Sequence, residues 1–203
     1  MSRKLLIATK NPGKVREYRE LLADLPFDVL SLADVGIDAD VEETGETFEE
    51  NALLKARAYA QLSGLLTWAD DSGLAVDALG GWPGVHSARH AGPGATDADR
   101  IDILLERLAD ASPEDRAAAF HCVVAIATPE GRAWTTAGMC SGVIIDDPAG
   151  SGGFGYDPVF FVPELGKTFA QLTSAEKNAI SHRGIAARKA AKLLAELVAE
   201  KEI

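Results

Sequence analysis

Cysteine is scarce: Cys122 and Cys140 are the only two in 203 residues. Two thiols so spaced make neither a disulfide framework nor the paired CxxC pattern of a zinc site, and a reducing cytoplasm is the expected compartment. No apolar run approaches the ~18–20 uncharged residues that a membrane helix needs. The opening MSRKLLIATKNPGK turns polar too soon for the apolar region of a signal peptide. A basic excess is missing as well. The formal net charge is −11, which argues against a nucleic-acid binder, whose footprint is a basic face. Neither membrane nor nucleic acid is therefore an expected partner.

What is present is an ordinary globular composition, 47% hydrophobic and 25% charged. The length allows one well-buried core but is short for two full domains, so residues 1–203 read as a single domain. Its charge is unevenly placed. Asp34 to Glu50 holds eight acidic residues and no basic one, whereas the first nineteen residues carry Arg3, Lys4, Lys10, Lys14, Arg16 and Arg19 against Glu17 alone. Acidic segments near basic loops suit a divalent metal shared with a phosphate ligand, although solvated surface helices give the same pattern.

The periodicity predicts an α/β order. Lys4 to Thr9 reads as a buried strand, Asn11-Pro12-Gly13 as a break, and Val15 to Leu25 as a helix with one apolar stripe. Asp28 to Leu32 is a second strand candidate. Thr47-Phe48-Glu49-Glu50 has the form of a capping box, opening a helix to about Ser63 with Gly64 as its stop. Leu65 to Ala69 is a strand running into Asp70-Asp71-Ser72-Gly73, and Gly80 to Gly84 is a loop. Thr96 caps a helix over Asp97 to Ala109. Ala117 to Thr128 and Arg132 to Ile145 form a hairpin about Pro129-Glu130-Gly131, and Tyr156 to Val162 is a further strand. Ser174 and Ser181 each stand where a helix can start.

Three motifs fail on context. Gly150-x-Gly152-x-x-Gly155 matches a dinucleotide fingerprint, but a strand-like run follows where a helix is required. Gly166-Lys167-Thr168 resembles the end of a P-loop, yet Phe161 stands in place of its first glycine. His86 and His90 lack the intervening glutamate of HExxH and read as loop histidines.

Four segments resist explanation by packing alone. Thr9, Lys10, Asn11, Pro12, Gly13 and Lys14 lie at a strand-to-helix junction, where free N–H groups and two lysines suit a polyphosphate; an ordinary turn is the alternative. Asp70 and Asp71 are adjacent carboxylates whose repulsion calls for a cation or donors, with a simple aspartate cap as the alternative. Glu42 and Glu43 offer a second metal carboxylate. In Ser151-Gly152-Gly153-Phe154-Gly155-Tyr156-Asp157-Pro158, glycines flank an aromatic on which a planar ligand can stack. Finally, Ser181 as a cap places His182 and Arg183 in a first helical turn, where cations oppose the dipole and need an anionic offset.

In this order the segments resemble the inosine triphosphate pyrophosphatase family, close to its bacterial dITP/XTP pyrophosphatase branch. TKNPGK, EETGETFEENALLKA, ADDSGLAVDALGG, PGVHSAR, FHCVVA, GGFGYDPVFF and SHRG all look like family blocks. The resemblance implies an elongated mixed sheet flanked by helices, two lobes with a cleft between them, and a homodimer. It implies hydrolysis of dITP, ITP, XTP or dXTP at the α–β phosphoanhydride with Mg2+ as cofactor. Thr9 to Lys14 would hold the triphosphate. Asp71 would be the catalytic carboxylate and a Mg2+ ligand with Glu42, and Asp70 would support it. Ser72 would contact the nucleotide, Phe154, Gly155, Tyr156 and Asp157 the base and sugar, Lys177 a phosphate, and His182 and Arg183 the 6-oxo edge of the purine. His86 and His90 stand where the family often has aromatic residues. A Maf-type pyrophosphatase and a binding module without turnover are the alternatives.

Overall fold

A computed structural model describes residues 3–201 and 203. Among these, strands β1 (Arg3–Ile7), β2 (Phe27–Ser31), β3 (Leu66–Val76), β4 (Ala117–Ala127), β5 (Ala133–Ile144), β6 (Phe160–Val162) and β7 (Lys167–Thr168) form one sheet in the order β2-β1-β3-β4-β5-β6-β7. It is mixed: β1 pairs in parallel with β2 and β3, and β6 pairs antiparallel with β5 and β7. Five α-helices accompany it: α1 (Pro12–Leu21), α2 (Phe48–Ser63), α3 (Asp97–Arg107), α4 (Ser174–Ile180) and α5 (His182–Ala199). This is an α/β fold. No helix among the described residues is long and apolar enough to cross a membrane.

The chain forms two compact units. The first comprises Met1–Asp71, Cys122–Gly138 and Arg183–Ile203, and the second Ser72–His121 and Met139–His182. In the first unit, strand alternation sorts the core onto two faces. Leu5, Ile7, Trp68, Cys122, Val124 and Ile126 pack with Tyr18 and Leu22 of the α1 segment and Ala186, Ala190 and Leu194 of α5. Leu6, Ala8, Ala69, Ala125 and Ala127 pack with Ala52, Ala56, Tyr59 and Ala60 of α2. The three helical alanines let α2 lie close against the sheet. In the second unit, Leu74, Val76, Phe120, Phe160 and Phe169 gather with Ile101, Leu104 and Leu108 from the α3 segment.

Local signals set the helix starts as expected. Thr47 and Thr96 each close a full capping box, and Gly64 ends α2 in the left-handed conformation at φ 68°. Two strand expectations need correction. β3 continues through Asp70 and Asp71 to Val76 instead of stopping at Ala69. The strand expected over residues 156–162 begins only at Phe160, because Tyr156 to Val159 lie in turns closed by Val159 N–H to the Tyr156 carbonyl at 3.1 Å. α4 begins at Ser174, as expected, with Thr173 supplying its capping box.

Candidate active site

Successive side chains of β3 point to opposite faces, so Asp70 and Asp71 meet different neighbours although adjacent in sequence. Asp70, on the Trp68 face, accepts Lys14 Nζ at 2.8 Å on Oδ2, with Arg183 Nε at 3.8 Å from the same oxygen. Its side chain is wholly buried, and Oδ1 has no hydrogen-bond partner among the described residues. Burial alone would raise its pKa, but Lys14, Arg183 and Lys55 outweigh burial and hold it down at about 2. Cys122 lies beneath, its thiol pushed up to about 12 by burial and by the Asp70 charge, which leaves it inert as a nucleophile.

Asp71 faces α2. Asn51 Nδ2 donates to Oδ2 at 3.2 Å, and Lys55 Nζ to Oδ1 at 3.2 Å. The Thr47–Glu50 capping box fixes the phase of α2, and residues 51 and 55, one turn apart, then share the face turned to β3. Lys55 also holds Glu43 Oε1 at 2.5 Å, and Asn51 accepts the Gly45 N–H at 2.8 Å, so the acidic segment is pinned to the same helix. Burial raises the Asp71 pKa; Lys55 and Lys14 pull against that, while Glu43 and Asp70 reinforce it. Two neighbouring carboxylates are thus driven in opposite directions, one fixed as an anion and one made more basic, the separation expected of groups with different tasks.

The remaining first-unit candidates are partly committed within the chain. Asn11 Oδ1 caps α1, accepting from Gly13 N–H at 2.8 Å and Lys14 N–H at 3.2 Å, with Pro12 in the first turn. Thr9 Oγ1 accepts the Asn11 N–H at 3.2 Å. Lys10 reaches the Asp38 carbonyl at 3.0 Å and Asp40 at 3.2 Å, both at the surface. Glu42 is exposed, whereas Glu43 is the glutamate whose charge acts on Asp71. Arg183 is buried, with Glu17 Oε2 at 2.5 Å from its Nη1. Glu17 and Asp70 are therefore the anionic offset that a cation at the start of α5 requires.

In the second unit, the Gly153–Asp157 segment is tied down from several sides. Asp157 Oδ2 accepts the Phe154 N–H at 2.9 Å and Lys177 Nζ at 2.6 Å. Lys177 Nζ also lies 4.9 Å from the centre of the Phe154 ring. Gly153, at φ 72°, has no room for a side chain, since a Cβ there would collide with the Asp157 carboxylate. Gly155 N–H donates to Asp97 Oδ2 at 2.7 Å. His182 stacks on Phe120, with ring centres 4.6 Å apart and planes at 10°, and on Phe169 beyond. Ser72 is half-buried on β3.

Lys55, Asn51 and Glu17, with the ring stack of Phe120 and Phe169, were not singled out from sequence. The i, i+4 spacing of Asn51 and Lys55 behind a capping box was a usable signal for one face of α2. No comparable signal links Phe120 with His182, which come together only through the fold.

A profile of the Ham1 family matches residues 5–193. The chain belongs to the Ham1 family. It is 54% identical over 187 residues to a dITP/XTP pyrophosphatase of Pectobacterium atrosepticum, covering 91% of this chain and 94% of that protein. It is 49% identical over 189 residues to a dITP/XTP pyrophosphatase of Bacillus subtilis, covering 93% and 96%. Among solved structures, a HAM1 protein from Coxiella burnetii superposes with TM-score 0.87 at 44% identity, covering 96% of this chain and 99% of that one. The nucleoside-triphosphatase, dITP/XTP pyrophosphatase, from Mycobacterium abscessus gives TM-score 0.74 at 46% identity, covering 94% and 98%.

Proposed function

We propose that this Ham1 protein hydrolyses dITP, ITP, XTP and dXTP at the α–β phosphoanhydride, releasing a nucleoside monophosphate and pyrophosphate. The opposed environments of Asp70 and Asp71 carry the reading. A passive nucleotide binder has no use for a carboxylate made more basic beside half-buried lysines, whereas a hydrolase needs a proton acceptor for water. Relatives about half identical over nearly the whole chain bear the name dITP/XTP pyrophosphatase, which favours this over a Maf-type substrate range.

In this mechanism Lys14 and Lys55 supply positive charge to the triphosphate. Asp71 takes a proton from the water that attacks the α-phosphorus; the bond to the β-phosphate's bridging oxygen breaks and pyrophosphate departs. Lys55 stays protonated for its part, since Asp71, Asp70 and Glu43 outweigh the burial that would lower its pKa. A hard divalent cation fits the donors on the Asp71 face, where Asp71 and Glu43 present carboxylate oxygens to the same Lys55 Nζ. Asp71 with Glu42 or Glu43 would hold Mg2+. Among the described residues no three metal-binding side chains form a ready-made group, so phosphate oxygens and water would complete the shell. Bound there, Mg2+ would neutralise charge developing on the phosphate oxygens. A cytoplasmic homodimer is the setting proposed.

Phe154 and Asp157 are assigned to the base and sugar, and His182 to the 6-oxo edge; Arg183, engaged by Glu17 and Asp70, acts by holding Asp70. Hydrogen-bonding sites of this kind discriminate by up to ~10⁴-fold. His182→Phe keeps a ring on Phe120 while removing the nitrogen donors, and should lower the ITP-over-ATP preference in kcat/KM by at least about tenfold. An unchanged preference would take His182 out of base recognition.

Product analysis tests the reaction itself. With ITP and Mg2+, IMP and pyrophosphate should appear, and chelation should stop them. IDP and phosphate would place the cleavage elsewhere. Tight ITP binding without turnover would make the protein a binding module, and a preference for modified pyrimidines would make it Maf-like.

A further inference from the structure

The sequence leaves His90 as a loop histidine without a task, and the mechanism above does not use it. Its surroundings in the second unit are specific. His90 Nε2 lies 2.6 Å from Tyr156 Oη, and Tyr156 Oη lies 2.8 Å from the Ser87 carbonyl oxygen. A carbonyl only accepts, and a tyrosine hydroxyl has one proton, so Tyr156 donates to Ser87. His90 must then donate from Nε2, and its Nδ1 carries the lone pair. That nitrogen is buried and has no hydrogen-bond partner among the described residues. Burial, with Arg100 and Arg107, holds the His90 pKa below its usual value and keeps the ring in this neutral form. Trp82 packs edge-on against the ring at 4.6 Å, and Arg107 covers Trp82 at 4.1 Å.

A second thread joins the same two segments. Arg100 Nε donates to the Ala88 carbonyl at 3.1 Å and its Nη1 to Asp97 Oδ1 at 2.8 Å, while Asp97 Oδ2 accepts the Gly155 N–H at 2.7 Å. Consecutive carbonyls, Ser87 and Ala88, are therefore each wired to consecutive residues, Tyr156 and Gly155. Tyr156 is 4% exposed.

We propose that His90 is a positioning residue that acts through Tyr156 to fix the Gly153–Asp157 segment, and with it the Phe154 ring and the Asp157 carboxylate, for binding a purine base. The proposal rests on the assignment of Phe154 and Asp157 to the base. It commits His90 to a role in substrate affinity and not in the chemical step, since nothing it touches reacts. The bond direction gives the role a chemical requirement: position 90 must present a donor to Tyr156 Oη, so an amide side chain can substitute and an apolar ring cannot.

The test uses the full chain with His90→Phe, which keeps the ring against Trp82 but has no donor, and His90→Gln, which restores one. Hydrogen exchange of the 153–157 amides should quicken at least about tenfold in His90→Phe and return towards wild type in His90→Gln. For ITP, His90→Phe should raise KM about tenfold with kcat within about twofold, and IMP should bind more weakly as an inhibitor. Inhibition by tripolyphosphate, which lacks a base, should not change. Unaltered exchange in His90→Phe would overturn the positioning role whatever the substrate. Faster exchange with unaltered KM and IMP affinity would also overturn it, by severing the segment from base binding. A kcat loss at constant KM would place His90 in the chemistry and overturn it as well. A wild-type protein that neither binds IMP nor hydrolyses ITP would overturn the underlying assignment, recognisable because it appears before any substitution is made.

Discussion

Replacing Asp71 with asparagine is expected to reduce kcat for ITP by at least ~10²-fold, the range typical of losing a positioned base, while leaving the protein folded. The two halves of that expectation have separate causes. Asparagine keeps the size of the side chain and one acceptor oxygen for the donors Asn51 and Lys55, whose contacts with Asp71 are both 3.2 Å; the contact its amide nitrogen cannot accept is the smaller loss, since Lys55 keeps Glu43 as a counter-charge. The folded protein already disfavours the Asp71 anion, since burial, Glu43 and Asp70 together prevail over the two lysines. Removing that charge therefore costs little stability. It does remove the basic oxygen proposed to accept a proton from water. Steady-state turnover and a thermal melt of the same preparation check both halves. Turnover near that of the unsubstituted protein would take Asp71 out of the mechanism, and a melt lowered by more than about 10 °C would make the lost activity uninformative.

The parts of this protein that were legible in the sequence are those decided within a few residues. Thr47 and Thr96 cap their helices through side chains three positions away, and Asn11 caps α1 in the same local way. The strands of the first unit announced themselves by apolar runs, because both of their faces are covered by helices. Expectation failed where distant partners decide the outcome. Residues 156–159 have strand-like composition, yet Tyr156 spends its hydroxyl on Ser87 and Asp157 its carboxylate on Lys177, twenty positions later. These bonds hold the backbone in turns against its local preference. Adjacent aspartates suggested the end of a strand; β3 instead continues, because alternation puts Lys14 against Asp70 and Lys55 against Asp71, and these cations offset the repulsion without a turn.

The candidate site divides along the same line. The resemblance supplied Asp71, the Thr9–Lys14 junction and the aromatic segment, all contiguous blocks. Lys55 and Glu17 lay unread within or beside such blocks because their roles depend on contacts with residues 16 and 166 positions away in the chain. For Arg183 the dipole argument asked for an anion without naming it. Glu17 and Asp70 answer that requirement from within the protein, and Arg183 is therefore proposed to support the carboxylate pair.

That arrangement makes Asp70 the opposite of its neighbour, and Asp70→Ala should be among the most destabilising single changes available. Its carboxylate is fully buried between Lys14, itself only 13% exposed, and Arg183, 3% exposed. Deleting it leaves Lys14 without the anion 2.8 Å away and takes from Arg183 one of its anions. Breaking a buried pair by removing one partner typically costs ~3–5 kcal/mol, because the remaining charge stays desolvated. Urea titration should show a midpoint lowered to match, with the slope unchanged. Lys192→Ala is the control: its pair with Glu196 is 81% and 55% exposed, and its loss should stay within about 0.5 kcal/mol. The cause can be separated from simple cavity formation. If the cost is the stranded charge, adding Lys14→Met to Asp70→Ala should recover part of it, giving a coupling of about 1 kcal/mol or more between two residues in contact. A double variant that loses the full sum of its parts would mean that Asp70 stabilises this unit by packing, and that the anion is kept there for the reaction alone.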